Sequence, residues 1–126
     1  MKILIQNGRL IDPASGLDQV GDVAVASGRI ISLGRVAPDF APDRRIDASG
    51  CIVMPGLVDL AVRLREPGYE HEGMLESEMD AAVAGGVTSV VCLPDTDPVL
   101  DEPGLVEMLK FRAEKLHRAR VFPLGA

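Results

Sequence analysis

Everything after Pro55-Gly56 alternates strand-like and helix-like runs, and nothing before it does. Residues 57–64 read as a strand. Met74, Leu75, Met79, Ala82 and Val83 keep helical spacing over 74–84, and Gly85-Gly86 stops that helix. Residues 87–93 form a nearly all-apolar run, as a strand buried on both faces requires. A second helix is predicted over 103–118, with Asp101 as its cap, Pro103 in its first turn, and Leu105, Met108, Leu109, Arg112 and Leu116 as its inner stripe. Val121-Phe122 then opens a third strand. Alternation of this kind argues for parallel strands, so residues 56–126 are expected to be β/α structure.

The first 55 residues read differently. Brief β-rich runs at 3–5, 22–25 and 29–33 are punctuated by Asn7-Gly8, Ser15-Gly16, Ser27-Gly28 and Ser49-Gly50. Ser27-Gly28 between two such runs predicts a tight hairpin, and residues 38–42 an irregular connection. The expected architecture is α/β. A small sandwich-like β module (1–55) precedes the first βα units of a (β/α)8 barrel (56–126). The chain has 126 residues, and a complete barrel needs about 250, so the barrel is expected to be truncated. The chain is expected to be a fragment that stops inside the third strand.

Charge is segregated. Residues 66–107 hold eleven Asp/Glu and no Lys/Arg, whereas residues 108–126 hold five Lys/Arg and one Glu. The acidic middle argues against nucleic-acid binding there. Aromatics make up 3% of the chain, with no Trp, which leaves no stacking platform for bases. The basic residues Lys110, Arg112, Lys115, Arg118 and Arg120 read as a solvated helix face. No apolar run approaches membrane-span length and no signal peptide opens the chain, so no membrane partner and a cytoplasmic location are expected. Cys51 and Cys92 lie in apolar stretches without CxxC spacing and are expected to be buried free thiols.

The first strand of the second region carries the unusual feature. Val58, Leu60, Val62 and Leu64 share one face and are expected to lie under helices. Asp59, Ala61, Arg63 and Arg65 share the other. Charges on a parallel strand must be paired or line a wet cavity. Two readings follow: an internal Asp59–Arg ion pair, or a site at the carboxyl end of the strand where Arg65 meets an anionic ligand.

Four segments, in order, resemble dihydroorotase of the cyclic amidohydrolase family. They are the β-rich residues 1–56, Pro55-Gly56-Leu57-Val58-Asp59-Leu60 with Leu64-Arg65-Glu66-Pro67-Gly68, Ala81 through Thr88, and Pro94-Asp95-Thr96-Asp97-Pro98. The resemblance implies a zinc-dependent hydrolase that interconverts carbamoyl-aspartate and dihydroorotate. In the family, two His at i and i+2 at the end of the first strand hold metal. The following Arg and the Asn of a Pro-Asn-Thr loop hold the substrate carboxylate.

This chain departs at those positions. The two His fall on Ala61 and Arg63, neither of which offers a lone pair to a metal. Arg65 matches the substrate arginine. Asp95 replaces the asparagine and sets a carboxylate where a dicarboxylate would bind. The lysine and glutamate that follow the motif become Glu72 and Gly73. His71 and His117 are not placed to restore the lost pair.

Arg65 and Asp95 are therefore read as substrate-site remnants, Ala61 and Arg63 as degenerate metal positions, with no catalytic residue and no cofactor expected. The pattern is similar to inactive dihydroorotase homologues. These assemble with aspartate transcarbamoylase into a large hetero-oligomer, a partnership expected here of the full-length protein. Arg63 is expected to neutralise Asp59 and neighbouring acids, so that its loss destabilises the barrel. Two alternatives stand beside this reading. One is an active zinc-dependent dihydroorotase with an altered metal site. The other is a non-enzymatic dihydropyrimidinase-related protein.

Overall fold

The structure, a computed structural model, describes residues 1–126. It divides into two compact units, Met1–Pro55 and Gly56–Ala126.

The first unit is one five-stranded sheet: β1 (Lys2–Asp12), β2 (Leu17–Ala26), β3 (Arg29–Gly34), β4 (Arg44–Asp47) and β5 (Ile52–Val53). β1, β2 and β3 run antiparallel in sequence, while β4 and β5 both pair parallel with β1 at successive positions. Ser27 and Gly28, with φ of 51° and 72°, form the two-residue turn between β2 and β3, as expected. Asn7-Gly8 does not turn the chain. Asn7 (φ 63°) sits inside an eleven-residue β1, where the register against β2 shifts between Ile5 and Gly8. The same left-handed residue that can close a hairpin here makes a bulge. Asn7 is held there by its N–H donating to Asp22 (2.9 Å) and its side-chain amide donating to Asp47 (3.2 Å). Leu4, Leu10, Val23, Ala24 and Ala48 are buried within this unit. Cys51 is exposed, contrary to expectation, because it follows the Ser49-Gly50 turn and precedes only a two-residue strand.

The second unit alternates as expected: β6 (Leu57–Val62), α1 (Leu75–Ala84), β7 (Val87–Cys92), α2 (Pro103–Leu116) and β8 (Arg120–Pro123), with a parallel sheet ordered β6-β7-β8. Its core joins Leu64, Leu75, Met79, Val90, Cys92, Leu100, Leu109, Ala113 and Ala119. Met74 caps α1, and the Ser77 hydroxyl accepts from the Met74 N–H and donates to its carbonyl. The cap of α2 is Glu102 rather than Asp101, placing Pro103 at the first helical position, and His117 closes the helix in a left-handed conformation.

Two expectations about β6 need correction. The strand ends at Val62, not Leu64. Val58 and Leu60 are 60% and 71% exposed. β6 is an edge strand, and α1 and α2 pack on β7 and β8, so Val58 and Leu60 are left uncovered while Val62, at the strand's end, packs against the core. Leu64, past the strand, is the residue that reaches the core, at 1% exposure. No helix is long and apolar enough to cross a membrane.

Candidate functional site

The carboxyl ends of β6 and β7 lead into two loops, residues 63–74 and 93–102, and these carry the residues singled out from sequence. The loops are fastened to each other. The Asp97 N–H donates to the Pro67 carbonyl at 3.1 Å, and within the second loop the buried Thr96 hydroxyl donates to the Pro98 carbonyl at 2.9 Å. Gly68 (φ 102°) lies so close to the Asp97 backbone that a β-carbon there would collide with it.

Glu66 anchors the first loop from within. It is 2% exposed. One carboxylate oxygen accepts from the Leu75 N–H at the start of α1 (3.0 Å), and the other pairs with Arg112 on α2. A carboxylate at this point also suits the positive end of the helix. Sequence reasoning missed this clasp. Its one legible signal was Arg112 itself, a cation in the inner stripe of α2 that needed a partner. Three other members of the basic face expected to be solvated are also engaged, Lys110 with Glu107 one turn earlier at 3.5 Å. Arg118 pairs with Asp80 of α1, and Lys115 lies 4.2 Å from the centre of the Phe111 ring.

Arg63 pairs with Asp95, its Nε 2.5 Å from Oδ2. The expected Asp59–Arg pair does not form. Asp59 instead accepts from the Ala61 N–H two residues along its own strand (3.0 Å). The Arg63 and Asp95 side chains are 58% and 44% exposed, not sealed in a core. Arg65 has φ of 61°, and its carbonyl accepts from the Tyr69 N–H at 2.8 Å. Its guanidinium meets Glu72, Nη1 to Oε2 at 2.9 Å, and His71 stands 3.9 Å from the other Glu72 oxygen. The two substituted acids thus each engage one arginine of the strand end.

A zinc ion does not fit these positions. Ala61 has no donor atom, and Arg63 presents a fixed cation already paired to a carboxylate. Residues 1–126 hold no group of three or more His, Cys, Asp or Glu side chains arranged around one point. Nearby Cys92 is buried, and desolvation first, with Asp95 nearby adding to it, pushes its thiol pKa up.

Residues 50–126 match a protein family described as dihydro-orotase-like. A "Dihydroorotase-like protein" of Pseudomonas aeruginosa is 48% identical over the whole chain, which covers 30% of that relative. A "Dihydroorotase" of Syntrophotalea carbinolica is 44% identical over the whole chain, which covers 29% of it. Among solved structures, an L-hydantoinase (dihydropyrimidinase) from Arthrobacter aurescens superposes with a TM-score of 0.85 at 26% identity, over 98% of this chain and 27% of that one. The chain therefore spans about 30% of the length of the curated relatives it matches.

Proposed function

We propose, for a chain that belongs to the dihydroorotase-like family, that the full-length protein is a non-catalytic subunit in pyrimidine biosynthesis. Its partner on this reading is aspartate transcarbamoylase. The observation that carries the reading is the Arg63–Asp95 pair. One residue stands where the family has a metal ligand, the other where it has a substrate amide, and they satisfy each other instead of a metal and a substrate. Arg65 and Glu72 repeat the arrangement one step further out. A dianionic substrate would meet two carboxylates before it met a free cation.

The test uses the full-length protein. Cyclisation of carbamoyl-aspartate should be at background, metal content substoichiometric, and the protein should co-elute with aspartate transcarbamoylase on gel filtration. Stoichiometric zinc with turnover would reject the reading, and two independent peaks would reject the partnership.

One observation favours a second reading, an active dihydroorotase with a rebuilt metal site. A relative named dihydroorotase is 44% identical over the whole chain. The same activity and metal measurements separate the two readings.

A further inference from the structure

Arg65 stands at the start of a loop whose shape is set by groups other than its own guanidinium. Its backbone is left-handed, its carbonyl is bonded to Tyr69 N–H, and Glu66 and Gly68 pin the residues that follow. A β-carbon at Gly73 would meet Arg65 Cγ at 3.5 Å, an ordinary contact, and would collide instead with the Glu78 carboxylate at 2.5 Å. This construction aims a cation at one place, and what it meets is Glu72, from the same loop. Elsewhere in the chain, Arg9 grips Asp18 through two parallel hydrogen bonds of 2.7 Å. The Arg65 contact runs from Nη1 to a single oxygen. Both partners remain close to half exposed, at 39% and 45%, and such a pair is worth only a few-fold in an equilibrium constant.

We propose that Glu72 is the internal occupant of a carboxylate-binding site on Arg65, a built-in competitor that weakens the binding of external carboxylates there. A guanidinium fork is suited to carboxylate ligands, and the glutamate supplies that group from within. This deepens the non-catalytic reading on which it rests, because it names a group within the chain that loosens the arginine's hold on a substrate carboxylate.

The experiment is calorimetric titration of the full-length protein with succinate, a dicarboxylate lacking any carbamoyl group. Glu72→Gln should tighten succinate binding about two- to fivefold, and adding Arg65→Gln should remove the gain. In the unaltered protein Arg65→Gln should leave succinate affinity within about twofold. Unchanged affinity in Glu72→Gln, or a gain that survives loss of Arg65, would overturn the proposal. Should Glu72→Gln fail to fold, Glu72→Ala takes its place in the same titration, with the same Arg65-dependent gain expected and its absence overturning the proposal. Turnover of carbamoyl-aspartate by the unaltered protein would reject the non-catalytic reading and leave these binding results standing.

Discussion

Replacing Glu66 by alanine removes the acceptor of the first N–H of α1 and the partner of Arg112 at one stroke. Leu75 is 2% exposed, so its freed N–H is not readily rehydrated. A hydrogen bond to a charged group of this kind contributes about 1.5–3 kcal/mol. The Arg112 side chain is 49% exposed. It regains water when its partner is lost, so the ion pair adds at most about 1 kcal/mol. The expected cost of Glu66→Ala is therefore about 2–4 kcal/mol. Glu66→Gln keeps an oxygen for Leu75 but gives up the charge and turns an amide NH2 toward the Arg112 guanidinium, so it should cost less than the alanine variant, about 1–2 kcal/mol. Urea unfolding of the full-length protein measures both, and hydrogen exchange in the first turn of α1 should accelerate in the alanine variant alone. Equal costs for the two variants would refute the assignment of the larger share to the Leu75 bond. An alanine variant as stable as the parent would refute the clasp itself.

Three further outcomes are expected. Asp12, Asp18 and Asp47 are held below the usual carboxylate range, by the Ser15 hydroxyl, the Arg9 guanidinium and the Ser49 hydroxyl respectively. Their lowered pKa favours the folded sheet above the unfolded carboxylate value of about 4. That contribution is lost as pH falls through the lower folded values, and hydrogen exchange of β1 and β2 across acid pH checks the direction. A thiol reagent should label exposed Cys51 promptly and buried Cys92 only on unfolding, and rapid labelling of both would contradict the burial of β7. On the non-catalytic reading, Ala61→His with Arg63→His should not produce cyclisation of carbamoyl-aspartate, because Asp95 then loses its cation and Glu72 still pairs with Arg65. Recovered turnover would show that the strand end alone decides activity.

The alternation of the second unit was legible because period 3.6 and period 2 leave different apolar patterns in 57–123. The ends of α1 and α2 were placed to within a residue or two by Gly85-Gly86 and Pro103. The Asn7-Gly8 bulge was not legible, since a positive φ marks a tight turn and a bulge alike, and only pairing with β2 decides between them. Positions Ala61, Arg63, Arg65 and Asp95 were found from motif order, but their partners were not. Arg63 lies 32 residues from Asp95, and that distance closes only when β7 pairs beside β6. The mistaken Asp59 partner came from strand periodicity, which places residues on a face but does not say where a long guanidinium ends. The chain also leaves β6 before Arg63, so the periodicity had lapsed by that point.

The run Leu64-Arg65-Glu66-Pro67-Gly68 bears on how such chains are recognised. Leu64 fills the core, Glu66 secures the helix start, and Gly68 makes room for the neighbouring loop. Three of its five letters are thus dictated by folding and would persist in a lineage that had given up chemistry altogether. The familiar signature certifies ancestry and a sound scaffold. Evidence of a living enzyme has to be sought in the strand just before it.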